Sequence, residues 1–284
     1  MTKKRPDDPG LIEAEDLGRW TTAKVRIVKD REAVSDVFAQ TIADCITANN
    51  RKERNSTFIM PVGPTGQYRK LAALINREKL DVSRLYFFNM DEYVGPDGRN
   101  VPPDHPFSFA RFVKEEFLDL VDRKRGLRKN NFHVPDAQNV LALGRAIKQA
   151  GGVDICFAGI GLDGHLAFNE PPEPYESWTD ERFARAPVRV IKLAPVTKAT
   201  NAIFGTGGDL KMVPDFAVTI GMEEILASRQ IQVFLDWHWQ RRVVREALYG
   251  PVTRFCPATY LQTHRNVVYT MAECVAERHV LKPE

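Results

Sequence analysis

The residues of this chain that are best suited to proton transfer are Asp163, His165 and Glu170, which lie within one short segment. They follow an apolar run that begins at Val153 and ends at Gly159. An apolar run of this length, bounded by glycines, predicts a strand covered on both faces, so the polar residues lie beyond its carboxyl end. Ligands of open α/β sheets bind at that edge, and we therefore expect an acid/base site here.

Two further strand ends carry residues that could contact a ligand. A turn containing Gly63, Thr65 and Gly66 leads into a helix and could hold an anion with its backbone N–H groups. A tight turn that needs glycine for its backbone angles explains the same pattern. Asp91 and Glu92 follow a strand rich in aromatic residues. Neighbours in an extended segment point to opposite sides, so we expect only one of them to face the cleft; a solvated loop carboxylate is the alternative.

The segment around His165 permits other interpretations. Residues 159–164 match the G-x-G-x-x-G pattern of nicotinamide-dependent enzymes. That pattern should open a long helix early in the chain, whereas here a proline pair follows within a few residues. Asp163, His165 and Glu170 could also bind a metal, but no second cluster completes a ligand set. His165 could equally be a loop histidine held by Asp163.

Strands alternate with helices along most of the chain, which is typical of a parallel sheet. The predicted strands are at residues 25–29, 57–61, 85–89, 153–158, 216–220, 231–235 and 266–270. The predicted helices are at residues 31–49, 68–77, 107–121, 141–150 and 241–249. We expect a loose N-terminal extension at 1–20, a single α/β domain at 21–284 and, within it, a proline-rich lid at about 171–200.

Composition limits the functional classes. The chain has 284 residues, 43% of them hydrophobic, which suits one large domain, and a net charge of only +3 gives no reason to expect nucleic acid. Its four cysteines include no C-x-x-C pair, which favours a reducing, cytoplasmic environment. No apolar run approaches the roughly 18 residues of a membrane span, and the N-terminus does not resemble a signal peptide. We therefore expect a small-molecule partner, and no membrane.

Three motifs, in this order and at this spacing, resemble those of the glucosamine-6-phosphate deaminase family. They are Phe88-Asn-Met-Asp91-Glu-Tyr-Val-Gly, His105-Pro-Phe-Ser108-Phe and Gly159-Ile-Gly-Leu-Asp163-Gly-His165-Leu-Ala-Phe-Asn-Glu170-Pro. The resemblance extends over about residues 25–275. The related 6-phosphogluconolactonases share Asp-Gly-His but usually continue with Ala-Ser, which favours the deaminases. The resemblance implies a Rossmann-like three-layer α/β/α sandwich with a mostly parallel central sheet, and no cofactor or metal.

The resemblance also implies a role for each acid/base residue. Asp91 stands at the position of the base that moves a proton between C2 and C1 of the sugar, and His165 at that of the group that opens the ring. Asp163 and Glu170 stand where carboxylates orient and tune this histidine. The chemistry needs such a set, because a carboxylate must remove the C2 proton and ring opening needs a group that gives and takes a proton near neutral pH.

The part of the site that would bind the substrate phosphate departs from the family. Its first loop usually reads Pro-Thr-Gly-Gly-Thr-Pro, whereas residues 61–66 read Pro-Val-Gly-Pro-Thr-Gly, and Pro64 has no N–H to offer. Gln240 stands where the family has a phosphate-binding lysine, and Lys198 where it has an arginine. The resulting candidate substrate-binding residues are Gly63, Thr65, Gly66, Glu92, Gly159, Lys198, Gln240 and Arg241.

Two interpretations of this altered subsite remain open. Arg241 or Arg242 could replace the lysine, since a guanidinium binds an oxyanion with two parallel hydrogen bonds. Alternatively, Trp237, His238 and Trp239 could form a larger and less cationic pocket for a different sugar or sugar acid. Packing beneath the lid would also explain the tryptophans.

The function that the resemblance implies is an aldose–ketose isomerase and deaminase, classed by convention with the hydrolases, that converts glucosamine 6-phosphate to fructose 6-phosphate and ammonia. The alternatives are the same chemistry on another sugar, lactone hydrolysis as in 6-phosphogluconolactonases, and a sugar-binding regulator without turnover. We expect a homo-oligomer. We do not predict allosteric control, because Arg189 matches a basic residue of the family's second site but Ile191 replaces a lysine.

Overall fold

The computed structural model describes residues 4–173 and 175–279. The strands are β1 (Lys24–Val28), β2 (Ser56–Met60), β3 (Leu85–Asn89), β4 (Asp91–Val94), β5 (Phe132–His133), β6 (Ile155–Ala158), β7 (Arg189–Lys192), β8 (Phe216–Thr219), β9 (Gln230–Leu235) and β10 (Val267–Ala272). The α-helices are α1 (Arg31–Asn50), α2 (Gln67–Arg77), α3 (Phe109–Val113), α4 (Leu141–Gln149), α5 (Asp180–Ala184), α6 (Pro195–Gly205), α7 (Met222–Leu226), α8 (Arg241–Tyr249) and α9 (Glu273–Ala276).

The central sheet has seven strands in the order β1-β10-β9-β6-β2-β3-β5, and every neighbouring pair is parallel. Its inner strands are buried along their whole length, as β2 and β6 show. Helix α1 packs on the sheet through Phe38, whose ring stacks on Phe157 and Phe234. The expected three-layer α/β fold with a mostly parallel sheet is therefore confirmed.

A second, three-stranded antiparallel sheet in the order β4-β8-β7 was not expected. The chain passes from one sheet to the other at Met90, between β3 and β4. The Met90 amide donates to Met60 O at 3.0 Å, and its carbonyl accepts from Ile220 N at 2.6 Å. This junction fixes the backbone on the amino-terminal side of Asp91. The strand predicted at 216–220 belongs to this second sheet rather than to the central one.

The predicted helix at 107–121 is shorter and irregular. Helix α3 begins after Ser108, whose hydroxyl accepts from Arg111 N, and ends at Val113. A π-helical turn then continues through residues 114–118. The helices predicted at 31–49, 68–77, 141–150 and 241–249 agree with α1, α2, α4 and α8 within one residue at each end.

Residues 4–20 are attached to the domain, although the sequence suggested a loose extension; residues 1–3 of that segment lie outside the described residues. Ile12 is 1% exposed and belongs to the main apolar core. Its carbonyl accepts from Arg245 Nε at 2.8 Å, and Gly18 N donates to the Tyr249 hydroxyl at 2.8 Å. Both partners lie on α8, so this segment packs against that helix.

The expected lid at about 171–200 contains α5, β7 and the start of α6, with Pro174 and residues 280–284 of the predicted domain outside the described residues. Its centre therefore holds regular structure. In the described part of the chain no helix is both long enough and apolar enough to cross a bilayer.

Candidate active site

A cavity of about 250 Å³ opens at the carboxyl edge of the central sheet. Strands β2 and β6 are neighbours in the central sheet. After β2 the sheet continues with β3 on one side, and after β6 it continues with β9 on the other side, so the loops that follow β2 and β6 diverge. Such a switch point forms a crevice in which ligands bind. The lining includes Pro61, Val62, Gly63, Pro64, Met90, Asp91, Phe109, Gly159, Ile160, Gly161, His165, Phe168, Thr197, Thr200, Asn201, Phe204, Asp236, Trp237, Trp239 and Gln240.

His165 lies in the loop after β6 and is held by Asp163. One carboxylate oxygen of Asp163 accepts from the His165 backbone N–H at 3.1 Å and lies 2.7 Å from the ring atom Nδ1. Burial alone would lower the pKa of His165, but the hydrogen bond and charge of Asp163, together with the charges of Glu170 and Asp91, more than offset it and raise this pKa above its ordinary value. With Nδ1 bonded to Asp163, Nε2 is the ring atom left for a substrate.

Gly161 lies directly against this imidazole. A methyl group at position 161 would overlap the ring of His165. The glycine backbone therefore forms the surface on which the histidine ring rests, and it donates from Gly161 N to His165 O at 3.0 Å.

Asp91 lines the same cavity as His165. It is only 7% exposed, and burial, reinforced by the charge of Glu92, raises its pKa from 3.8 to about 8. The charge of His165 acts in the opposite direction. A carboxylate whose pKa has been brought toward neutrality is suited to remove and return a proton.

Glu170 does not line this cavity, but its charge acts on His165. One of its carboxylate oxygens accepts from Ala194 N at 2.6 Å, which links the loop after β6 to the start of α6. Burial raises the pKa of Glu170, and its negative charge helps to raise that of His165. Of the predicted acid/base residues, the structure therefore places Asp91 and His165 at the cavity, and Asp163 and Glu170 around the histidine.

Glu92 points away from the cavity. Its carboxylate accepts from the backbone N–H groups of Phe109 at 2.9 Å and Ala110 at 2.8 Å, and from the Ser108 hydroxyl at 3.1 Å. These three donors hold the start of α3 against β4, and the backbone N–H of Tyr93 donates to the same buried carboxylate at 2.9 Å. The structure thus gives Glu92 a structural role, where the sequence suggested contact with substrate.

The other predicted substrate-binding residues separate into two groups. Gly63, Gly159 and Gln240 line the cavity, whereas Thr65, Gly66, Lys198 and Arg241 do not. The Gln240 side chain is committed to the protein itself: its oxygen accepts from Asp236 N and Trp237 N at 3.0 and 3.1 Å, and its nitrogen donates to Ile160 O at 2.9 Å.

The cations considered as replacements for the family lysine are bound elsewhere. Lys198 pairs with Asp215. Arg241 donates to Cys274 O at 2.7 Å and pairs with Glu277. Arg242 pairs with Asp8 and Glu246. None of the described residues that line the cavity is a lysine or an arginine.

Helix α6 supplies lining residues that the sequence analysis did not single out. Thr197, Thr200, Asn201 and Phe204 recur at helical spacing and all face the cavity. That spacing of polar residues was the available signal. His238, in contrast, is exposed and does not line the cavity, which corrects the expectation that it shapes the pocket.

The alternative chemistries find little support in the geometry. The glycines at 159–164 lead into turns and a short bridge between Leu166 and Asn169, so they do not open the helix that dinucleotide binding requires. Within residues 4–173 and 175–279, no three His, Cys, Asp or Glu side chains are grouped to hold a metal ion.

The chain is similar to known proteins over most of its length. A family model described as glucosamine-6-phosphate isomerases/6-phosphogluconolactonase matches residues 29–270. A glucosamine-6-phosphate deaminase of Phocaeicola vulgatus is 30% identical over 263 residues, which cover 89% of this chain and 93% of the relative. One of Porphyromonas gingivalis is 33% identical, with 76% and 79% covered.

Solved structures show the same relationship. A monomeric glucosamine-6-phosphate deaminase superposes with a TM-score of 0.76 at 25% identity, covering 89% of this chain and 98% of that one. The 6-phosphogluconolactonase of Trypanosoma cruzi shares the fold, with a TM-score of 0.62 at 17% identity over 91% of this chain and 97% of that one. The chain therefore belongs to the glucosamine-6-phosphate isomerase/6-phosphogluconolactonase family.

Proposed function

We propose that the protein is an amino-sugar isomerase and deaminase that performs the reaction for which its deaminase relatives are named, glucosamine 6-phosphate to fructose 6-phosphate and ammonia. The observation that carries the proposal is the presence of Asp91 and His165 in one cavity, the first with its pKa raised to about 8 and the second held by Asp163. Lactone hydrolysis would use the histidine but gives no role to a buried carboxylate beside it.

The reaction requires two separate proton transfers. His165 takes the proton of the C1 hydroxyl and returns one to the ring oxygen, which opens the ring to the aldehyde. Asp91 then removes the proton from C2 and delivers it to C1, while a proton passes from the amino nitrogen to the C1 oxygen, so that C1 becomes an alcohol and the C–N bond at C2 becomes an imine. Water adds to the imine and ammonia leaves, which gives the ketose; the net consumption of water explains the hydrolase classification.

The surroundings of Asp91 and of His165 suit the proton transfer that each performs. Asp91 is buried enough to be a strong base once ionised, because water does not solvate its charge. His165 keeps a raised pKa through Asp163, so it can donate as well as accept near neutral pH. The charge of His165 also favours the ionised form of Asp91, so the two groups are coupled.

The test is a product assay in which ketose and ammonia are followed together. The purified protein is offered glucosamine 6-phosphate and, separately, glucosamine. We expect both products in equal amounts from at least one sugar and neither from Asp91→Asn. A folded protein that releases no ammonia from either sugar would contradict the proposal, and a lactone assay should follow.

The setting of the enzyme is part of the same proposal. Its four cysteines are free, which suits a reducing cytoplasm. We also expect self-association, although one relative of known structure is described as monomeric. Light scattering of the purified protein at assay concentration measures this directly.

A further inference from the structure

The wall of the cavity that follows β9 has an unusual polar composition. Asp236 is 9% exposed, lines the cavity and accepts an ion pair from Arg31 Nε at 2.8 Å. Trp239 follows three residues later in the chain, and its indole N–H is buried with no acceptor among the described residues. The wall therefore offers one acceptor, the carboxylate, and one unused donor, the indole.

This wall lies at the opposite end of the cavity from Asp91. The sheet order places β6 and β2 between β9, which precedes Asp236, and β3, which precedes Asp91. Three strand spacings of about 4.8 Å separate the two ends by about 14 Å. A sugar with C1 and C2 at Asp91 therefore directs its far carbon, C6 of a hexose, toward Asp236 and Trp239.

The charge of this wall is unfavourable for a phosphate. A phosphate oxygen and a carboxylate oxygen both accept hydrogen bonds, so neither can satisfy the other, and their charges repel. Arg31, which pairs with Asp236 through Nε, does not line the cavity. Pro64, which faces the cavity from the loop after β2, has no N–H to donate.

A hydroxyl group fits the same wall. Its hydrogen can be donated to Asp236 while its oxygen accepts from the Trp239 indole, which uses both polar groups. Trp237 and Phe204 complete the surface: both line the cavity with ring centroids 4.6 Å apart, and the Arg31 guanidinium lies 3.8 Å from the Trp237 ring centroid. Together the two rings give an apolar surface for the C–H groups of a sugar.

We infer that this site, while able to act on the 6-phosphate, prefers an amino sugar whose far end carries a free hydroxyl, recognised by Asp236 and the indole N–H of Trp239. The inference rests on the proposed function for the position of C1 and C2. It makes Asp236 and Trp239 residues that determine specificity.

The experiment compares glucosamine with glucosamine 6-phosphate, by ammonia release and by calorimetric binding. The variants are Asp236→Asn, which keeps the shape but loses the charge, and Trp239→Phe, which keeps an aromatic ring but loses the N–H. Asp104→Asn is the matched control, because it makes the same change at an exposed carboxyl group that does not line the cavity.

We expect the wild-type protein to prefer glucosamine at least about 10-fold in kcat/KM and in affinity. Asp236→Asn should lower the ratio of glucosamine to glucosamine 6-phosphate by about 10- to 100-fold, since it weakens the hydroxyl contact and releases Arg31. Trp239→Phe should weaken glucosamine binding, and Asp104→Asn should leave the ratio unchanged.

The calorimetric binding measurement tests the hydroxyl subsite without turnover, so it separates this inference from the proposed function. Preferential binding of glucosamine without ammonia release would support the hydroxyl subsite while contradicting deamination. Preference for glucosamine 6-phosphate in the wild-type protein, a ratio that Asp236→Asn leaves unchanged, or no binding of either sugar would overturn the inference, whether or not turnover occurs.

Discussion

A carboxylate oxygen of Asp163 lies 2.7 Å from Nδ1 of His165 and also accepts from the backbone N–H of the same residue. One oxygen thus fixes both the position of the residue and the orientation of its ring. It also stabilises the protonated imidazole against the effect of burial.

Replacement of Asp163 by Asn should therefore lower the pKa of His165, because only the charges of Glu170 and Asp91 would then oppose the effect of burial. NMR titration of the imidazole measures the shift, and we expect kcat to fall about 10²-fold or more. Asp104→Asn, which alters an exposed carboxyl group away from the cavity, is the control. An unchanged titration in Asp163→Asn would show that the carboxylate does not stabilise the imidazolium.

Asp91→Asn should abolish turnover but retain sugar binding, since an amide has the shape of the carboxyl group and cannot take the C2 proton. Exchange of the C2 hydrogen with deuterium from solvent, followed by NMR, isolates this step from ring opening. We expect exchange in the wild-type protein and none in the variant. Loss of binding with the exchange intact would refute the assignment of Asp91 as the base.

Burial of the Asp91 carboxyl group should also make the free energy of unfolding fall as the pH rises. Its folded-state pKa of about 8 lies above its unfolded value near 3.8, so the folded state holds a proton that the unfolded state releases. Relative to Asp91→Asn, the wild-type protein should lose up to roughly 1.4 kcal/mol of unfolding free energy per pH unit between these two values, and nothing below them. Urea unfolding of both proteins at pH 5 and pH 8 measures the difference. A gap that stays constant across this range would mean that the carboxyl group is not held protonated.

Glu92→Gln should destabilise the fold rather than weaken substrate binding. The amide nitrogen would face N–H and O–H donors that now point at a carboxylate oxygen, so we expect a loss of about 1–3 kcal/mol in unfolding free energy. Thermal unfolding and KM are measured together. A raised KM with an unchanged melting temperature would instead show that Glu92 contacts the substrate.

Gly161→Ala should inactivate the enzyme through the position of His165. The added methyl group overlaps the imidazole ring, so either the ring or the loop must move. Gly144→Ala is the matched control, because its methyl group would meet only Glu224 Oε1 at 3.5 Å, an ordinary contact. We expect at least about 10²-fold loss of kcat in the first variant and full activity in the second. Equal activities would show that the loop accommodates the change.

Six of the seven central strands could be predicted because they are apolar or alternating runs that stand between helical patterns. Strand β5 was missed because it has only two residues. Strand β4 was missed because it follows β3 with one residue between them, and β7 because it lies in the segment expected to form a lid. Short strands of a second sheet are stabilised by partners distant in the chain, as in the pairing of Glu92 with Val218. Local patterns carry no information about such partners.

The site could be predicted where one segment carried its own chemistry, as with Asp163 and His165. The roles of Glu92 and Gln240 could not, because both depend on donors and acceptors that reach them only in the folded chain. Arg31 shows the same limit. Nothing in its local sequence indicates that it meets Asp236, some two hundred positions later in the chain.

Arg245 makes the fold depend on the N-terminal residues. Its side chain is 1% exposed, and its nitrogen atoms donate to the carbonyl oxygens of Ile12, Arg241 and Ala276 at 2.8, 2.8 and 2.6 Å. A protein shortened to begin at residue 21 would lack Ile12, so the buried Arg245 guanidinium would lose one of its three carbonyl acceptors. It would also uncover the apolar surface beneath Ile12, so the shortened protein should aggregate during expression while the full chain does not.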